Sequence, residues 1–312
     1  MAMATLNSAL ADEFDEPATV ESIVVRGSLP GPAWWRVSDA DSTVHILVIP
    51  EAGPADLVWD TSVLEARMGR ARLLIMPAEV SVGVTQIPKL FRTYKGEVLD
   101  KTPLEPSLPQ PLRSRFVAAR NASGLAASQL GKVRPAYAAE RLRRQLRTSR
   151  GVVTGKVAAV INAAATRRRV RRSKPLVKFM PQRVAWTAMD AADGLKRERD
   201  CLAQTLQTMH RVTDAQRRSA LEWAAGDVRG LLALPRLSHR SSCDNDLLSR
   251  VNRTHRPELL QGQIRAIEAA LQTPGETIAV VRPGLLLSED GVLMTLKARG
   301  FEIRTPANIS EP

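Results

Sequence analysis

Four histidines and two cysteines are the side chains of this sequence best suited to holding a transition metal: His45, His210, His239, His255, Cys201 and Cys243. Neutral imidazole and thiolate are the common zinc ligands. Cys201, His210, His239 and Cys243 fall into two pairs, spaced C-x8-H and H-x3-C. Neither spacing follows an established zinc pattern, and the chain has no C-x-x-C. The two cysteines alone leave two readings open, one disulfide in an oxidising compartment or two inert thiols in a reducing one. Gly151–Lys156 (GVVTGK) has the outline of a phosphate loop. One glycine is misplaced, and Val157 follows the lysine where the chemistry needs a hydroxyl, so the match is chance.

Chemistry of any kind needs elements to position it, and the clearest ones lie near the two ends of the chain. Thr43–Pro50 (TVHILVIP) reads as a strand running into Glu51, and Thr277–Pro283 (TIAVVRP) as a strand running into Gly284 and Leu285. Arg72–Met76 (RLLIM) is a third strand, stopped by Pro77. Near these strand ends the polar candidates are Glu51, Glu79 and Arg282. Trp34–Val37 precedes a polar turn at Ser38–Asp41 and predicts a hairpin with the strand that follows. His45 falls within that strand, His210 at a helix end, and His239 and His255 in polar loops.

The middle, about 112–272, carries helical spacing. Pro135 opens a helix over 135–149, residues 189–210 and 213–233 carry apolar residues three and four apart, and Pro257 opens another helix with Leu260, Ile264, Ile267 and Leu271 on one face. Pro103, Pro106, Pro109 and Pro111 read as a connector ahead of that middle. After the last long strand, Ser288 is expected to cap a helix over 289–299 that Gly300 stops, with a short strand at Phe301–Arg304. The fold class expected is mixed α/β: a central sheet from strands of both chain ends, with a largely helical middle packed around it.

Composition sets further bounds. The 312 residues are 44% hydrophobic and 25% charged, with only 4% aromatics, so the core must rest on aliphatic side chains. No run approaches the roughly 18 apolar residues that a membrane span needs. Residues 1–22 are read as disordered or as the remnant of a signal: Met1–Ala11 ends in a cleavable-looking Ala-Leu-Ala but lacks a basic start and a full apolar stretch. A single domain is expected over 23–308.

The net charge of +13 is concentrated. Fourteen basic residues and no acid lie within 141–188, so the rest of the chain sums to about −1. This belt has three readings. The first is solvated helix faces whose arginine stems cover alanine-rich surface. The second is an anionic lipid or envelope polymer, gripped by Arg167, Arg168, Arg169, Arg171 and Arg172. Nucleic acid comes third, because only Phe179 and Trp186 lie near for stacking and no reader motif is present. Trp34, Trp35, Trp59 and Trp223 are expected in the core rather than lining a groove.

Several segments together resemble the TraB/GumN family of bacterial proteins, related to the TIKI-type metalloproteases. They are Pro32–Thr43 with Trp59–Ala66, Val133–Ala139 (like the family's KPWLAA), Trp223–Asp227 (like WATGD), and Ile278–Leu293 closing with Lys297–Phe301. The resemblance covers about 30 to 305, and its weight lies in the order and spacing of motifs that are weak singly. It implies a metal-dependent hydrolase built on two Gly-x-x-His motifs and a glutamate, which make chemical sense as ligands and base. Here Val48 and Glu51 stand at the first motif, Pro77 at the glutamate, and Arg282 and Leu285 at the second motif. An Arg-Asn pair is reduced to Asn252, preceded by Val251. The resemblance thus implies a member without catalytic residues, bound metal or cofactor. The class alternative is an active hydrolase with a rebuilt site. Asp200–Leu202 and Ser242–Cys243 resemble paired motifs of a divergent branch, which implies a Cys201–Cys243 disulfide and a periplasmic or secreted protein. The incomplete signal leaves a cytoplasmic location open.

Overall fold

The computed structural model describes residues 31–180, 192–231, 233–234, 247–286, 288 and 290–306. The remaining segments, which include the expected signal remnant, His239 and Cys243, lie outside the described residues. The chain opens with β1 (Trp34–Ser38), β2 (Ser42–Val48) and β3 (Ala52–Pro54), then α1 (Ser62–Arg70), β4 (Ala71–Ile75) and β5 (Glu79–Ser81). The helices α2 (Ile87–Val98), α3 (Leu104–Ser107), α4 (Gln110–Ser123) and α5 (Pro135–Ser149) follow. Next come β6 (Val152–Thr154), α6 (Lys156–Arg167), β7 (Arg171–Ser173), β8 (Leu176–Lys178) and α7 (Ala192–Ala224). The chain closes with α8 (Leu247–Thr254), α9 (Arg256–Leu271), β9 (Gly275–Val281), α10 (Pro283–Leu286), α11 (Val292–Ala298) and β10 (Glu302–Arg304).

Six strands form the central sheet in the order β10-β1-β2-β9-β4-β7. The fold is mixed α/β, as the alternation of apolar runs and helical periodicity predicts. The β1–β2 hairpin turns where expected: the Asp39 carboxylate accepts from the backbone N–H of Ser42 at 2.9 Å. β2, β9, β4 and β7 run parallel to one another. The two central strands are apolar and fully buried toward their carboxyl ends, at Ile46–Val48 of β2 and Ile278–Val281 of β9, because both faces are covered there. The outermost strand, β7, comes from the helical middle rather than from either end of the chain.

The order of connections fixes which face each helix covers. The steps β2–α1–β4 and β4–α6–β7 run one way along the sheet, and β7–α9–β9 and β9–α11–β10 run back. Right-handed crossovers therefore place α1 and α6 on one face and α9 and α11 on the other. On α9 the expected stripe Leu260, Ile264, Ile267 and Leu271 is buried. A second apolar cluster, separate from the sheet, joins α3, α4, α5 and the first half of α7 around Phe116, Leu142 and Leu202.

Several boundaries differ from expectation, each for a local reason. The proline-rich stretch is helical at two points: Pro106 sits inside the one-turn helix α3, and Pro111 occupies the first turn of α4. In a first turn the missing N–H has no intrahelical partner to lose. The segments 189–210 and 213–233, read separately, join in one helix whose described part begins at Ala192 and which ends at Ala224, where the chain turns. The last helix starts at Val292 after Gly291 rather than at Ser288. Ser288 and Asp290 instead receive the Arg256 guanidinium, at 2.9 Å and 2.8 Å. Gly300, at φ +90, ends that helix as predicted. Among the described residues no helix is long and apolar enough to cross a membrane.

Candidate functional site

β2 and β9 are neighbours whose chains leave the sheet in opposite directions. That makes the carboxyl ends of these two strands the topological switch point, the place where open α/β sheets bind ligands. Three positions singled out in the sequence lie at or just beyond these and the neighbouring strand end. Val48 is the last residue of β2, Val281 the last of β9, and Pro77 follows β4 by two residues.

The crevice is filled rather than open. Val48 and Pro77 are buried, and Leu285 is 6% exposed on α10. The indole N–H of Trp223, itself fully buried, donates to the Val48 carbonyl at 2.7 Å. Trp59 packs on the Trp223 ring with centroids 5.1 Å apart. Trp223 gets there because α7 crosses β3 at Gly53, where any Cβ would stand 2.8 Å from the Ala220 methyl group. On the other side the Gln263 amide oxygen accepts from the Ala78 N–H at 2.8 Å, and the amide nitrogen approaches the Val280 carbonyl at 3.5 Å. One glutamine thus ties the chain beyond β4 to the end of β9.

The polar candidates each have their own contacts. Glu51 is exposed and is one of the charges favouring the Arg147 guanidinium, whose burial pushes it below its ordinary value. Glu79 is paired with Lys174 at 3.0 Å. Arg282 is half-buried, and its carbonyl accepts the Leu285 and Leu286 N–H groups of α10. Asn252 lies on α8.

The described histidines serve packing and pairing. His45 stands at 3.1 Å from Glu276, which also binds Arg70 at 2.9 Å. Burial, with Arg67 nearby, lowers the His45 pKa from 6.5 to about 4, so the imidazole is neutral near pH 7 and donates Nε2–H to the carboxylate. His255, expected in a polar loop, is fully buried between α8 and α9. Its Nε2 accepts from the Met180 N–H at 3.1 Å and its Nδ1 lies 2.9 Å from the Val251 carbonyl. Sequence reasoning missed this pin because Arg and Thr around it read as solvent-exposed. His210 bonds Arg150 at 2.9 Å. Among the described residues no group of three or more His, Cys, Asp and Glu side chains gathers. Cys201 is fully buried in the helical cluster, and no described cysteine is free. Its expected partner Cys243 lies outside the described residues.

The basic belt is resolved unevenly. Arg143 and Arg144 pair with Glu140, and Arg147 lies 3.7 Å from the same carboxylate. Arg150 pairs with Asp214 at 2.6 Å. Arg167 and Arg168 share Glu65, at 2.5 Å and 3.5 Å. Lys156, the lysine of the apparent phosphate loop, donates to the Ala55 carbonyl. Arg169 is exposed at φ +56 in the turn after α6. Arg171 and Arg172 are exposed on β7 and form no ion pair among the described residues.

The model of the TraB/PrgY/gumN family matches residues 33–305. No curated protein matches the chain, and no solved structure does.

Proposed function

The chain belongs to the TraB/PrgY/gumN family, and from that premise we propose that it is a member whose metal-dependent hydrolase site has been lost and that it acts as a binding protein of the cell envelope. The observation that carries this reading is the filling of the switch-point crevice. A hydrolytic metal needs about three nitrogen or oxygen donors and an open position for water. Val48, Pro77 and Leu285 have no donor side chain, and Trp223 occupies the space above Val48. The residues present do not fit such a metal. An active site rebuilt from Glu51, Glu79 and Arg282 would need them to converge, whereas Glu79 is held by Lys174.

Metal analysis and peptide-hydrolysis assays on the purified protein test the proposal together. Both should be null. Stoichiometric zinc or manganese that supports cleavage would overturn it.

The envelope location and the Cys201–Cys243 disulfide belong to the same proposal. The full burial of Cys201 supports the disulfide. In non-reduced, denatured protein neither thiol should react with a maleimide; labelling of both would remove the disulfide. For the belt as a whole, the acids on Arg143, Arg144, Arg150, Arg167 and Arg168 favour a structural role. No retention on DNA or RNA is expected at physiological ionic strength.

A further inference from the structure

A second concavity lies along the edge of the sheet, between β4, β7 and the last two turns of α9, with a volume of about 410 Å³. That is within the ~300–1,000 Å³ typical of small-molecule sites. Three arginines line it, Arg72, Arg171 and Arg172, and none of the lining residues is acidic. The register pairs Leu73 with Arg171 and Ile75 with Ser173, so the cation and the hydroxyl stand on the same face of the sheet as two aliphatic side chains. Alanines of α9, including Ala266 and Ala269, form the facing wall. Thr273 adds a second hydroxyl.

Two further observations separate this place from an ordinary basic surface. The neighbouring belt residues Arg167 and Arg168 are neutralised by Glu65 across the sheet, but Arg171 and Arg172 have no acidic partner among the described residues. Arg72 reaches over to the carbonyls of Ala270 and Thr273, at 2.5 Å and 3.0 Å, which fixes its guanidinium at the pocket wall. Its Nε–H is buried without a hydrogen-bond partner.

We propose that this pocket binds a small organic anion, a carboxylate or phosphate monoester carried on a short apolar chain. The charged end lies against Arg171 and Arg72, and the chain lies against Leu73, Ile75 and the α9 alanines. The site is independent of the fate of the hydrolase chemistry, since it shares no residue with the crevice at β2 and β9. Free acids and the headgroups of anionic lipids carry the same chemistry, so the test separates them.

Binding to the full chain is measured by calorimetry with hexanoate, hexyl phosphate and inorganic phosphate, and by sedimentation with phosphatidylglycerol vesicles. Hexyl phosphate or hexanoate should bind saturably and more tightly than inorganic phosphate. Arg171→Ala should weaken binding about tenfold, the value of one charge-assisted hydrogen bond, and Arg172→Ala, on the opposite face of β7, should weaken it less. Ala269→Trp, an exposed helix position that leaves the charge unchanged, should weaken hexyl phosphate and spare inorganic phosphate. Arg169→Ala, exposed but outside the pocket, should leave all affinities unchanged. If the soluble anions fail to bind in the millimolar range, the proposal is overturned. Equal losses in Arg169→Ala and Arg171→Ala would also overturn it, as would unchanged affinity in Ala269→Trp or vesicle binding that hexyl phosphate cannot compete.

Discussion

At the carboxyl ends of β2 and β9, an indole, a valine, a proline and a leucine close the crevice against water, and the Val48 carbonyl accepts the Trp223 N–H. Along the β4–β7 edge of the same sheet, three arginines border an open cavity of about 410 Å³ with no acid in its lining. The difference lies in what each place can tolerate. A closed crevice desolvates whatever stands in it, so apolar side chains stabilise it and unpaired donors or charges cost several kcal/mol. At an open edge, arginine heads stay hydrated and cost little until a ligand arrives. The first place contributes stability to the fold, and the second contributes a surface to which something can bind.

Removing the plug should break the first half of that contrast. Trp223→Ala is expected to destabilise the protein by about 3–5 kcal/mol, through the lost ring and the cavity it leaves. Trp223→Phe, which keeps most of the bulk and loses the bond to Val48, should cost about 1–3 kcal/mol. Urea denaturation reads both. A loss below about 1 kcal/mol in the alanine variant would mean that the crevice is not sealed by this residue.

Gln263→Leu should follow, at about 1–3 kcal/mol, because it leaves the buried Ala78 N–H without an acceptor at nearly constant volume. A neutral result would show that β4 and β9 are held at this end by packing alone.

Acid should sharpen the comparison from the far side of the sheet. His45 has a folded pKa of about 4 against 6.5 for the unfolded group. The unfolded chain therefore binds the extra proton first, and this contribution to stability is complete above pH 6.5 and is lost as the pH falls from there to about 4. The slope cannot exceed about 1.4 kcal/mol per pH unit for one group. His45→Gln should flatten this window in denaturation curves taken across it. An unchanged slope would remove His45 as its source.

The smallest effect belongs to the open edge. Arg171→Ala and Arg172→Ala should each change stability by less than about 0.5 kcal/mol, because both side chains are exposed and unpaired. A loss as large as that at Gln263 would show that they brace the fold instead of leaving a surface free.

Much of the architecture is legible in the chain because two periodicities are strong. The alternation through Trp34–Val48 and the apolar run Thr277–Val281 locate β1, β2 and β9, and the stripe from Leu260 to Leu271 locates α9. The short strands are not legible. β7 is Arg171-Arg172-Ser173, three exposed polar residues that no propensity marks as sheet. It is a strand because the carbonyls and N–H groups at the edge of β4 need partners and the loop after α6 delivers them. His255 was misplaced for a related reason: its flanks are polar, and only the packing of α8 against α9 buries it.

The candidate site divides in the same way. Sequence alone determined that the side chains of Val48, Pro77 and Leu285 carry no ligand atom in any fold. It also determined that positive charge is concentrated within 141–188. Only the tertiary structure decided that Trp223, 175 residues from Val48 along the chain, fills the crevice. Only the tertiary structure decided which arginines of the belt meet an acid and which border an open pocket. Ligand atoms are a property of side-chain type, which the sequence states outright. Solvation and pairing depend on which distant segments come within a few ångströms, and that is set by the sheet order and the path of α7.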